Sequence, residues 1–202
     1  MSADAMAAPA QPPSGYPVRF DVEYEEKHSR LLLFFRWILA IPHLLILYAL
    51  SAVASICIFI SFFAILFTKK YPRGLFDFVV NIYRWQANVF SYLFLLRDDY
   101  PPFTWDTGKY PLTWEVDYPA ELGRFAPLYK WLLVIPNLIV LYLLVIVALL
   151  LYIVAWFAIL FTGKMPHGIH DFLVGVGRWS HRVNAYATYL LTDKYPPFST
   201  KP

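Results

Sequence analysis

Twice the sequence runs for 25 residues without a glycine, a proline or a charge, from His43 to Phe67 and from Asn137 to Phe161. As α-helix each run is roughly 37 Å long. That is enough to span a hydrocarbon core of about 30 Å with some tilt. Composition points the same way. Hydrophobic residues make up 59% of the 202 and charged residues only 15%, against roughly half and a quarter in soluble domains. There is too little polar surface to coat a soluble globule, so lipid is the expected solvent for much of the chain. Both runs are expected to be transmembrane helices.

The two runs belong to an internal repeat. Tyr16-Pro-Val-Arg-Phe-Asp-Val-Glu-Tyr24 returns as Tyr110-Pro-Leu-Thr-Trp-Glu-Val-Asp-Tyr118. Arg36-Trp37 returns as Lys130-Trp131, Ile41-Pro42 as Ile135-Pro136, and Phe63-Ala-Ile-Leu-Phe-Thr68 unchanged as Phe157-Ala-Ile-Leu-Phe-Thr162. Asp77-Phe78 matches Asp171-Phe172, Arg84-Trp85 matches Arg178-Trp179, and Tyr100-Pro-Pro-Phe103 matches Tyr195-Pro-Pro-Phe198. A period of roughly 94 residues is too long for a solenoid and marks a duplicated module. The expected organisation is a disordered tail over 1–15, rich in Pro and Ala, a first membrane module over 16–103 and a second over 104–202.

Within a module, residues 16–24 alternate: Val18, Phe20, Val22 and Tyr24 face one way, Arg19, Asp21 and Glu23 the other. That is a half-buried strand, and one strand from each module is expected to form a small extramembrane sheet. After the long run, Lys69-Lys-Tyr-Pro-Arg-Gly74 breaks the helix. A second apolar segment follows, 75–96, with its twin at 169–191. It carries Asp77, Asn81, Arg84 and Asn88 on one narrow arc; the twin carries Asp171, Gly175, Arg178 and Arg182. One Arg near a helix centre costs about 2.5–3.5 kcal/mol and each Leu, Ile, Phe or Val returns about 0.3–0.6 kcal/mol. With about a dozen such residues insertion is slightly favourable; an interfacial amphipathic helix is the alternative.

Parity favours two crossings per module, because the matching flanks of the two copies then stay on one side. Single crossings would invert the copies, whereas a re-entrant pair preserves the parity. In the two-crossing arrangement Arg19, Lys27, Arg30, Arg36, Arg97, Lys109, Arg124, Lys130 and Lys194 share the side of the termini. Lys69, Lys70, Arg73 and Lys164 lie opposite. The bias expects a multi-pass protein with cytoplasmic termini, with the Lys69-Lys70-Arg73 cluster in conflict.

Taken together, Trp37-x4-Pro42, the Phe-Ala-Ile-Leu-Phe-Thr stretch, Pro72-x-Gly74-x2-Asp77-Phe78, Arg84-Trp85 and Tyr100-Pro-Pro-Phe103 resemble the bacterial "domain of unknown function (DUF) 4389" family, twice over. The resemblance implies a bacterial membrane protein, often with duplicated modules and without an assigned activity, and supplies no catalytic residues; the inner membrane is the expected location.

Asp77 with Arg84 and Asp171 with Arg178 are the candidate functional pairs, because ionisable groups at membrane depth are functional candidates. The structural alternative places Asp77 at a helix N-terminus and has Arg84 lock helix packing. Arg36, Trp37, Lys130 and Trp131 suit interfacial lipid anchors. His167-x2-His170-Asp171 has helical ligand spacing but too few ligands for a metal site. Gly163-Lys164 lacks the rest of a phosphate loop. Small residues at Ala54/Ala148 and Ser61/Ala155 lie two turns apart on one face and would let helices approach closely. No catalytic motif and no cofactor is expected, and the scattered basic residues do not form the cationic face of a nucleic-acid binder. The leading expectation is a non-enzymatic membrane accessory or scaffold subunit that meets lipid and a membrane-protein partner or a second copy. A small transporter, channel or lipid-moving protein working through the two polar stripes is the alternative.

Overall fold

The computed structural model describes residues 15–202. Gly15 apart, the expected tail lies outside the described residues. The order is β1 (Val18–Val22), α1 (Leu32–Thr68), α2 (Arg73–Leu93), β2 (Leu112–Val116), α3 (Ala126–Leu133), α4 (Ile135–Thr162) and α5 (His167–Ala187). α1 and α4 are both long and apolar enough to cross a membrane.

α1 is a single helix of 37 residues that carries Pro42 inside it. Its counterpart is broken at Val134 into α3 and α4. The buried residues of α1 recur every three, four or seven positions, from Leu33 through Ala40, Leu47, Ala54 and Ser61 to Ile65. This is one narrow stripe; most of the remaining circumference is exposed and apolar. The small residues Ala54, Ser61 and Ala155 all lie on buried stripes. A left-handed residue after each helix, Lys69 and Gly163, ends α1 and α4, as expected of αL caps.

α2 packs against α1, and α5 against α4. Both start right after a proline, Pro72 and Pro166. The strands pair antiparallel with Phe20 opposite Trp114, so each module contributes one strand, as the alternation indicated. The strands are exchanged: β1 lies on α5 of the second module and β2 on α2 of the first. The modules at 16–103 and 104–202 therefore interlock. The helix ends interlock too. His28 donates its backbone N–H to Gly163 O at 2.9 Å, and the repeat-equivalent Leu122 donates to Lys69 O at 2.8 Å. Tyr24 OH donates to Met165 O and Tyr118 OH to Tyr71 O, both at 2.6 Å.

The copies are 94 residues apart at Arg84 and Arg178 but 95 apart at Tyr100 and Tyr195, and this one-residue slip lies in the turn after the second helix. Leu95 (φ 64°) and Leu190 (φ 57°) are equivalent left-handed residues, and the extra residue sits between the end of α5 and Leu190. The exit turn absorbs it without disturbing the Tyr-Pro-Pro-Phe loops.

Candidate functional site

The polar arc of α2 and α5 faces the sheet. Arg84 donates from Nε to Trp114 O at 3.0 Å and from Nη1 to Asn81 Oδ1 at 2.7 Å and Trp105 O at 3.2 Å. Arg178 donates from Nε to Phe20 O at 2.8 Å, from Nη1 to Thr200 O at 2.7 Å and from Nη2 to Asp21 Oδ1 at 2.8 Å. Phe20 and Trp114 are repeat equivalents, so the same fork performs the same task twice: it satisfies the carbonyl at the centre of the strand lent by the other module. A planar guanidinium suits this, because its donors diverge in a fixed geometry.

The carboxylates do not join these arginines. Asp77 accepts from Arg73 at 2.9 Å and Asp171 meets His167 at 2.8 Å, in both cases one turn apart and solvent-exposed. The Asp77–Arg84 and Asp171–Arg178 pairs considered from helical spacing are therefore not formed. Asn88 is buried, with its Oδ1 lacking a partner among the described residues. Arg182 donates to Lys201 O at 2.9 Å and lies over the Tyr16 ring at 5.4 Å.

The two stripes differ for a visible reason. The C-terminal segment runs over α5, and a Cβ built on Gly175 would come within 2.9 Å of Thr200 Cβ. Module one places Asn81 there; module two leaves the space to the tail and holds its end with Arg182. Gly175→Asn is expected to displace residues 199–202. Carboxypeptidase digestion should then trim the variant faster than the wild type, while Gly74→Asn, with open space around it, should leave trimming unchanged.

Arg36 and Lys130 require a correction as lipid anchors. They are 0% and 1% exposed, whereas Trp37 and Trp131 are 52% and 63% exposed. Arg36 pairs with Asp98 at 2.8 Å and bonds Tyr92 O; Lys130 pairs with Asp193 at 2.6 Å and bonds Thr192 O at 2.8 Å. A buried cation needs such partners, and each acid comes from the loop after the second helix of the same module. Of these four residues only the tryptophans reach the surface.

A second buried pair was not foreseen. Trp85 Nε1 donates to His43 Nδ1 at 3.1 Å, and Trp179 Nε1 to Asn137 Oδ1 at 2.9 Å. The Tyr-Pro-Pro-Phe loops close over them: Phe103 stacks on His43 with centroids 3.9 Å apart, and Asn137 donates to Tyr195 OH at 2.7 Å. The signal was a lone polar residue directly after Pro42 and Pro136 in an otherwise apolar run.

Beside the sheet lies an open groove of about 780 Å³, whose walls include Arg19, Arg84, Lys109, Arg178 and Arg182 with Asp21. Arg19 is held by Asp117 at 2.7 Å and Glu115 at 3.2 Å. Among the described residues there is no group of three His, Cys, Asp or Glu able to hold a metal ion.

The family model described as "Domain of unknown function (DUF4389)" matches residues 30–104 and again 126–200. The chain belongs to this family. The two matches cover the helices and the Tyr-Pro-Pro-Phe loops of both DUF4389 copies, with β1 and β2 outside them. No curated protein and no solved structure matches the chain.

Proposed function

We propose that this chain is a non-enzymatic integral membrane scaffold of the bacterial inner membrane, seated in lipid by α1 and α4 and presenting its sheet and groove to a membrane-protein partner or a second copy. The observation that carries the reading is the engagement of both stripe arginines by strand carbonyls. A charge held by three hydrogen bonds in a fixed dock is poorly suited to relay ions, and the carboxylates sit in exposed one-turn pairs. The apolar surface supports the membrane seat: Leu45, Ile56, Phe63, Leu143, Leu150 and Phe161 are all exposed, and exposed apolar surface on this scale is disfavoured in water.

Two measurements test this. Extracted in mild detergent, the protein should migrate as a dimer or a defined complex, well above its 23.5 kDa monomer mass after correction for bound detergent. A lone monomer in native extracts counts against a scaffold. In sealed liposomes the purified protein should move neither ions nor lipid above the protein-free rate. Flux that is abolished by Asp77→Ala with Asp171→Ala would establish the transporter alternative instead.

A further inference from the structure

We propose that α1 and α4 do not cross the bilayer but lie antiparallel within one leaflet, with the sheet and all the charged helix ends facing the same aqueous side. This rests on the membrane seat proposed above and revises the expected crossings.

The argument is one of symmetry. Two antiparallel strands paired through equivalent residues, Phe20 opposite Trp114, are related by a two-fold axis normal to the sheet. The same axis relates the arginine forks, the helix-end bonds and the Trp85–His43 and Trp179–Asn137 contacts, so it holds for the whole fold. Rotation about an axis leaves heights along it unchanged. Gly163 is the equivalent of Lys69, so the two stand level. His28 is bonded to Gly163 at 2.9 Å, and therefore stands level with Lys69. His28 precedes α1 and Lys69 follows it. A second contact agrees: the Phe34 ring meets that of Trp156 at 5.6 Å, and Trp156 is the equivalent of Phe62. A helix of 37 residues, about 55 Å long, thus begins and ends at one height and runs across the axis.

Two placements in a membrane remain. If the axis lay in the bilayer plane, α1 and α4 would cross in opposite directions as an inverted repeat. The sheet would then sit at mid-bilayer and expose Asp21, Lys109 and Asp117, together with the irregular backbone of 104–111, to hydrocarbon. Lipid does not tolerate such backbone or such charges. If the axis stands along the membrane normal, the sheet meets water, α2 and α5 form the middle layer, and only α1 and α4 enter lipid. A helix about 10–12 Å across fits the roughly 15 Å of one leaflet. This placement also removes the conflict in the charge pattern. Lys69, Lys70 and Arg73 at the end of α1 share a side with Lys27 and Arg30 at its start, and all of them face the anionic cytoplasmic leaflet.

The test uses the full chain with Cys57→Ser and single added cysteines. Lys27→Cys and Lys70→Cys flank α1 and are both exposed. A membrane-impermeant maleimide should label both in inside-out vesicles and neither in spheroplasts; one labelled from each side would overturn the proposal. Leu45→Cys, Ile56→Cys and Phe63→Cys share the face opposite the buried stripe. Spin labels there should report one common depth, within about a helix radius. A spread approaching 27 Å, the rise over those residues, would instead mean crossing. Should the chain partition into the soluble fraction with these labels open to aqueous relaxants, the membrane seat itself fails, an outcome distinct from either depth pattern.

Discussion

Asp98→Ala is expected to destabilise the protein by about 3–5 kcal/mol, the cost of leaving a buried charge without its partner. Asp98 receives Arg36 at 2.8 Å and His28 at 2.8 Å, and also the backbone N–H of Ser29. Arg36 is 0% exposed and cannot escape by losing its proton, because a guanidinium stays charged in proteins. By the scaling of about 2–4 °C per kcal/mol for chains of this size, thermal unfolding in detergent followed by circular dichroism should shift down by about 6–20 °C. The equivalent Asp193→Ala should cost less, about 1–3 kcal/mol. Asp193 is itself a third exposed, and the stranded Lys130 can shed its proton where Arg36 cannot. Acid titration checks the assignment. Burial alone would raise the Asp98 pKa, but the bonds from His28 and Ser29 and the charge of Arg36 outweigh it and hold the carboxyl below its ordinary range. A group lowered in the folded state stabilises above its unfolded pKa and loses that contribution as pH falls through the folded one. The wild type should therefore lose stability on acidification below about pH 4, and Asp98→Ala should lack that increment.

What the sequence made legible was whatever local period or self-similarity can encode. The repeat, the long apolar helices, the polar arc of α2 and the alternation of residues 16–24 are all written within short windows. Periodicity names a face but not what covers it. The arc of Asp77, Asn81, Arg84 and Asn88 was therefore readable as an arc, while its partner, a strand lent by the other module, was not. The same limit explains the misplacement of Arg36 and Lys130. Beside tryptophans at the head of an apolar run, a basic residue reads as a lipid anchor. The acids that bury them lie 62 positions away for Arg36 and a similar distance for Lys130, and nothing local connects them. Asp77 shows the converse error. A seven-residue spacing suggested Arg84 as its partner, yet Arg73, one turn away, is the nearer cation, and the Arg84 fork is drawn to a backbone carbonyl that no sequence pattern displays.

Arg178→Ala should cost about 2–4 kcal/mol, since it strands the carbonyls of Phe20 and Thr200 and frees Asp21, and charge-assisted bonds are worth roughly 1.5–3 kcal/mol each before water from the groove compensates. Arg178→Lys should rescue little, because one ammonium cannot reproduce three donors in a plane. Arg84→Ala removes the equivalent dock under β2, and the two losses should not add. A two-stranded ribbon is marginal without a surface beneath it; once β1 leaves α5, β2 has lost its pairing strand, and little is left for Arg84 to hold. A double-mutant cycle should therefore show the pair costing less than the two singles together, with a coupling in the range of about 0.5–3 kcal/mol, and limited proteolysis should cut within 104–111 in either single variant. A relay role predicts the reverse: unchanged unfolding and protease patterns, with a loss confined to flux. The two outcomes separate on stability alone, since a cation that works on a moving ion leaves the sheet in place when it is removed, while one that holds the sheet takes it along.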